Sequence, residues 1–287
     1  MRNRISPLKL AAALSVALAF AGPAAAQNTP TPELTAALAL IEAGQNEAAV
    51  AALTPLAEAG DIVAMVRLGV LLHAGTGAPR DDARAAVLFR TAADAGNAEA
   101  QHQLATLYLR GEGVERNFDE ALRLLRLSAE QNYPPALLSL GFRYYNGNEG
   151  VAQDFAEAFR WFTLAAEHEG MPQAKYLIGL LYSRGQGVEL NYTLAFQWMR
   201  EAAEEGFAGA VYAVGVAYGF GQGVERDLVQ SYRWIYTAWR LTAQPPGAPI
   251  YQATYDAAML ISALQRTEAE AQALDWMAER GLQPRLP

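Results

Sequence analysis

The chain has 287 residues, no cysteine, and 22 Lys+Arg against 30 Asp+Glu, a formal charge of −8. Hydrophobic residues make up 52% and charged residues 18%, a mix that builds a large core and excludes a disordered chain. The acidic balance argues against a nucleic-acid partner, and the absence of cysteine excludes disulfides, thiolate metal ligands, a cysteine nucleophile and a lipidated cysteine anchor.

Residues 1–26 read as a signal peptide. Arg2, Arg4 and Lys9 form a basic start, an apolar stretch runs from Leu10 to Ala21, and Ala24-Ala25-Ala26 precedes Gln27 as an A-x-A cleavage pattern. The apolar run falls short of the roughly 20 residues that span a bilayer. Cleavage after Ala26 takes the formal charge from −8 to −11 and predicts a periplasmic or secreted product with no membrane insertion. Residues 27–61 then read as a divergent helical pair, its two stretches divided by Gly44-Gln45-Asn46.

From residue 62 the chain repeats itself. Gly75, Gly111, Gly147, Gly185 and Gly221 are spaced 36, 36, 38 and 36 apart. Gly77, Gly113, Gly150, Gly187 and Gly223 keep step, as do Gly60, Gly96, Asn132, Gly170 and Gly206. Self-similarity at such a period marks a repeat architecture. Each unit reads as two helices. The first covers Ala64–Ala74, Ala100–Arg110, Ala136–Asn146, Ala174–Arg184 and Ala210–Phe220, and ends at the G-x-G turn, which is G-N-E-G in the third unit. The second starts at an N-cap column of Asp81, Asn117, Asp154, Asn191 and Asp227, with a capping-box acid or amide at Glu120, Glu157 and Gln230. Gly69, Ala105, Gly141, Gly179 and Gly215 form a small column for close helix approach. The columns Leu72, Tyr108, Tyr144, Tyr182, Tyr218 and Leu88, Leu124, Trp161, Trp198, Trp234 are expected to fill the core between repeats.

The pattern A-x-x-x-L-G-x-x-Y-x-x-G-x-G-V, an N-cap, then A-x-x-W and A-A resembles the Sel-one-like repeat family, α/α hairpins related to tetratricopeptide repeats. The segment from Ala174 to Gly206 matches most fully: Ile178-Gly179, Tyr182, Gly185-Gln186-Gly187-Val188, Ala195, Trp198 and Ala202-Ala203. The first unit departs, with Leu72, Ala78 and Leu88 in place of tyrosine, valine and tryptophan. The resemblance covers residues 62–244 as five units, 64–99, 100–135, 136–173, 174–209 and 210–244. It implies an all-α, right-handed superhelical solenoid of about seven hairpins, counting the flanking pairs at 27–61 and 245–287. Gln244-Pro245-Pro246-Gly247-Ala248-Pro249 breaks the array before the last pair, which ends in a frayed tail. Such end pairs cover apolar faces that have no further neighbour.

Catalytic patterns are missing. The G-x-G turns follow helices rather than strands and lack the third glycine of a dinucleotide fingerprint. His73, His102 and His168 lie in different units with no H-x-x-x-H spacing and read as isolated histidines, so no metal and no cofactor is expected. The only S-x-x-K, Ser6-Pro7-Leu8-Lys9, sits in the signal peptide. Lys175, the one lysine after residue 26, reads as part of a solvated face.

Variable positions on the first helices remain. In tetratricopeptide-like arrays these helices line the concave surface, and by that resemblance His102, Phe142, Tyr145, Tyr176 and Tyr212 face a groove with Arg110 and Arg184 at its edge. Aromatics with arginine suit recognition, although an apolar stripe is equally a packing surface. The expectation is an exported, non-enzymatic, monomeric scaffold or adaptor that holds a protein or peptide in its groove and regulates envelope signalling or assembly. The alternatives are a cell-wall-directed enzyme, since some secreted relatives are described as β-lactamase-like, and a secreted effector or adhesin that binds host proteins.

Overall fold

The computed structural model describes residues 31–147, 150–243, 245 and 247–285. The proposed signal peptide lies outside the described residues. Those residues form fourteen helices: α1 (Pro32–Glu42), α2 (Asn46–Glu58), α3 (Ile62–Ala74), α4 (Asp82–Asp94), α5 (Ala98–Arg110), α6 (Phe118–Glu130), α7 (Pro134–Asn146), α8 (Phe155–Ala166), α9 (Pro172–Arg184), α10 (Tyr192–Glu204), α11 (Ala208–Phe220), α12 (Leu228–Thr242), α13 (Pro249–Ala258) and α14 (Ala263–Glu279). Each of the first twelve packs on the next in chain order, and α12 packs on both α13 and α14. The result is an all-α solenoid of stacked helical hairpins.

The five repeated units are built by one set of backbone contacts. The first helix ends on a glycine in the left-handed region, with φ between 61° and 70° at Gly75, Gly111, Gly147, Gly185 and Gly221. The chain then loops back. The amide of the next N-cap donates to the carbonyl of Leu72, Tyr108, Tyr144, Tyr182 or Tyr218, at 2.9–3.1 Å in all five units. The inserted residue of the third unit is absorbed without losing this bond. All five N-cap side chains accept from the first turn of the second helix, which satisfies its orphan donors. Gly96, Gly170 and Gly206 close the second helices at positive φ, as Gly60 closes α2 before the repeats; Asn132, at φ 58°, takes the same turn as the residue type that best tolerates it after glycine, and α12 ends on Ala243 at φ 50°.

Three sequence expectations change in detail. First helices begin two residues before the alanine column, because Asp61 and Asn97 cap α3 and α5, and Pro134 and Pro172 open α7 and α9. The capping-box residues turn outward instead. Glu120 binds Arg123, Glu157 binds Arg160 and Gln230 accepts from Arg233, while a reciprocal box forms at Ser262 and Gln265. The third change concerns the tryptophans. Trp234 is buried, but Trp161 and Trp198 are half-buried. The residue after each member of that column, leucine or tryptophan, fills the hairpin: Phe89, Leu125 and Phe162 are almost wholly enclosed, and Met199 and Ile235 are buried. The small column sits against these side chains. A Cβ on Gly69, Gly141, Gly179 or Gly215 would collide with Phe89, Phe162, Met199 or Ile235.

The second glycine of G-x-G does more than turn the chain. A Cβ on Gly113 would run into the carbonyl of Asp82, at the start of the preceding hairpin's second helix. Gly77, Gly187 and Gly223 dock in the same way on Asn46, Phe155 and Tyr192. Gly150 has no such neighbour within 4 Å. Its turn is the one that carries the inserted residue.

Candidate partner-binding site

The variable positions of the first helices are held by rings beneath them. Phe142 sits edge-on to Phe162, with centroids 5.5 Å apart, and Tyr145 meets Phe155 at 5.4 Å. Tyr176 packs on Phe207 at 5.3 Å, and Tyr212 borders the last two core clusters. All four aromatics are half-buried, as is His102; Arg110 and Arg184 are exposed. Nη1 of Arg184 donates across a repeat boundary to the Tyr145 hydroxyl at 2.8 Å.

Six of the seven candidate residues gather into two cavities. The first, about 620 Å³, lies between α5 and α7 and holds His102, Arg110 and Phe142 with His73, Gln103, Thr106, Ser139, Arg143 and Asn146. The second, about 270 Å³, lies between α9 and α11 and holds Tyr176, Arg184 and Tyr212 with Leu180, Phe196, Met199 and Val216. The two differ in chemistry. The α5–α7 cavity is the more polar of the two, although Leu109, Leu125 and Phe142 share its lining, and no carboxylate stands among its described lining residues. Burial pushes the Arg143 guanidinium below its usual range, and Arg116 lowers it further. Arg110 is 3.7 Å from Glu112, too far for a hydrogen bond. Burial also drives His102 down to about 4, so its imidazole is neutral at pH 7. Its Nε2 contacts Ser139 Oγ at 3.1 Å, while its Nδ1 is buried with no hydrogen-bond partner among the described residues. The α9–α11 cavity is walled mainly by aromatic and aliphatic side chains, with Arg184, Ser183 and Gln222 among them, and burial raises the Tyr176 phenol.

The histidines are not isolated as their spacing suggested. His73 and His102 line one cavity, because α3 and α5 stand side by side in the stack. His73 Nδ1 lies 2.7 Å from Asp82, in a network that Arg80 extends to Glu112 at 2.9 Å. Among the described residues no three His, Asp or Glu side chains cluster as metal ligands. Lys175 is likewise no solvated bystander. It is half-buried and pairs with Glu205 and Glu201, so it ties α9 to the end of its own hairpin, and the Glu205 hydrogen bond raises its affinity for the proton. Sequence reasoning missed Arg143, Phe196 and Met199. Arg143 follows Phe142 directly, a visible signal; the other two reach the site from a second helix, which no first-helix pattern reveals.

Comparison with known proteins places this architecture. The Sel1 repeat model matches five times, at residues 62–97, 98–133, 134–169, 172–207 and 208–238. The chain is similar to a Sel1 repeat protein from Oxalobacter formigenes, with 30% identity, TM-score 0.71, and coverage of 84% of this chain and 98% of that one. A protective antigen of uropathogenic Escherichia coli with an SLR fold aligns over 81% of this chain and 64% of its own, at 24% identity and TM-score 0.38. A sel1 repeat protein from Klebsiella pneumoniae aligns over 63% and 89%, at 22% identity and TM-score 0.45. No curated protein matches the chain.

Proposed function

The chain belongs to the Sel1 repeat family, and from that premise we propose that it is an exported, non-enzymatic adaptor that holds a protein or peptide segment against its first helices. The Sel1 repeat commonly mediates contacts between proteins. One observation carries the reading to particular residues: six of the seven candidate first-helix positions line two cavities on that face, one bridging three units and the other two. A long rigid surface of this kind binds without chemistry of its own. Export rests on the basic start, apolar run and A-x-A pattern of residues 1–26. None of the described helices is long and apolar enough to cross a membrane. The helical pairs at either end act as caps, and a role in envelope signalling or assembly follows from that address.

Two measurements test the proposal. Intact mass of the expressed protein from the envelope fraction should lack residues 1–26; retention of Met1–Ala26 in the cytoplasm defeats export. Crosslinking through a photoreactive group at position 212 should trap a partner, and one at Leu190, an exposed residue outside both cavities, should not. Equal yields from the two positions would defeat the assignment of the binding face.

A further inference from the structure

The helical pair that follows the array builds a site of its own. Up to α12, each helix packs on the next; α13 and α14 instead each pack on α12 rather than on each other. A trough of about 210 Å³ opens between them. From α12 it takes Tyr232, Tyr236 and Trp239, spaced i, i+4 and i+7 on one helix face. Tyr251 and Tyr255 enter from α13, and Arg266 and Glu270 from α14, each pair one turn apart. Ring follows ring at 5.9, 5.7 and 5.8 Å from Tyr232 through Tyr236 and Trp239 to Tyr251. Tyr232 and Tyr236 are buried at the floor, Trp239 and Tyr251 are half-buried, and Tyr255 is exposed at the mouth.

This lining selects among ligand classes. A cation meets Arg266, and it meets Arg240, whose guanidinium already lies over the Tyr236 and Trp239 rings at 5.9 and 5.8 Å. An anion meets Glu270 and the negative faces of the rings. A wholly apolar group strips water from Arg266, from Glu270 and from the phenol hydroxyls and returns no hydrogen bond. A neutral ring with C–H faces and a rim of hydroxyls satisfies all of them. Its C–H bonds lie against the electron-rich faces of tyrosine and tryptophan. Its hydroxyls, each both donor and acceptor, serve Arg266, the Tyr251 and Tyr255 hydroxyls and Glu270, which already accepts from Tyr232 at 2.6 Å. Drug-sized ligands occupy about 300–1,000 Å³, so a trough of this size takes one such ring at a time.

We propose that the trough between α13 and α14 is a second ligand site, which seats one neutral sugar ring of a glycan, stacked on Tyr251 and Tyr255 and held at its rim by Arg266 and Glu270. The site lies on the C-terminal pair, apart from the first-helix face, and stands whether or not that face holds a partner. Amino-sugar strands and hexose polysaccharides share this chemistry, and the test separates them.

The full chain is titrated with the tetramer of N-acetylglucosamine and with β-1,4- and α-1,4-linked glucose tetramers, and tryptophan fluorescence and calorimetry follow the binding. Saturable binding of at least one tetramer is the expected result, and which one binds names the source. Tyr255→Ala and Arg266→Ala should each weaken it about tenfold, whereas Tyr255→Phe keeps the ring and most of the affinity. Tyr255 is 57% exposed, so its truncation leaves the fold intact, and an unchanged melting curve checks this. Leu190→Ala, far along the chain and outside the trough, should bind as the natural chain does. Choline and benzoate serve as the cationic and anionic probes. No binding of any tetramer, sugar binding that survives both Tyr255→Ala and Arg266→Ala, or saturation by choline or benzoate without sugar would each overturn the proposal.

Discussion

At the scale of single residues, burial decides more than chemistry does. His102 is held neutral by burial, its proton affinity lowered to about 4, while an unfolded imidazole takes up its proton near pH 6.5. Below that pH the unfolded chain binds the extra proton and the folded chain does not. Stability is therefore complete above about pH 6.5 and declines as the pH falls toward about 4, by on the order of 2 kcal/mol. Urea unfolding at pH 7 and pH 4.5 should show this decline in the natural chain and a smaller one in His102→Gln. Gly141 is a second case. Its missing Cβ is the space that the Phe162 ring occupies. Gly141→Ala gains helix propensity, roughly 1 kcal/mol, but overpacking by a methyl group costs about 1–3 kcal/mol, so the net change is destabilising. The neighbouring unit pairs Ala105 with Leu125 in the same two columns. Adding Phe162→Leu to Gly141→Ala copies that pair and should regain most of the loss. Melting curves of the two variants decide it, and a double mutant weaker than the single one would show the columns to be uncoupled.

At the scale of the element, each hairpin is specified by short-range signals and joined by long-range ones. Gly113 docks on the carbonyl of Asp82, and Gly150 docks on nothing. Both have positive φ, so alanine at either site carries the left-handed penalty of about 1–2 kcal/mol. Gly113→Ala carries the backbone clash as well and should lose at least about 1 kcal/mol more than Gly150→Ala in chemical denaturation. This division explains what the sequence discloses. The N-caps Asp81, Asn117, Asp154, Asn191 and Asp227 are legible because a cap acts within three residues, and so are the αL closures, even where Asn132 stands in for glycine. The docking of the second glycine is not legible, since its partner lies in the preceding hairpin, about 30 residues away at Asp82 or Phe155. Neither is the choice between Trp198 and Met199 as the buried side chain. Adjacent residues stand about 100° apart on a helix, and a wide apolar stripe admits both. The candidate site divides likewise: Tyr176 and Tyr212 are visible as variable aromatics on first helices, whereas Phe196 and Met199 enter from α10 and depend on how the hairpin closes.

At the scale of the whole molecule, the array depends on its neighbours for cover. Trp234 is buried partly by Trp276 of α14, with ring centroids 5.3 Å apart, and Tyr232 donates to Glu270 across the same boundary at 2.6 Å. A chain that stops after Ala243 bares these groups and should lose at least about 3 kcal/mol of stability. Calorimetry and binding of an apolar dye would report the loss; a shortened chain that melts unchanged would show the last pair to be an appendage. The turn at residues 147–150 has a different bearing on the whole. Elsewhere in the repeats a glycine wedge locks each hairpin to the one before it, as at Gly77, Gly113, Gly187 and Gly223; at Gly150 the wedge is unseated. The hairpins α5–α6 and α7–α8 are joined instead by side chains, His102 to Ser139 at 3.1 Å and Arg126 to the Tyr144 hydroxyl at 3.2 Å. The α5–α7 cavity straddles that joint, with Arg110 on one side and Arg143 on the other. An inserted residue in a turn thus shifts the burden of holding two repeats in register from the backbone to polar side chains, whose bonds exchange with water more readily than a packed glycine does.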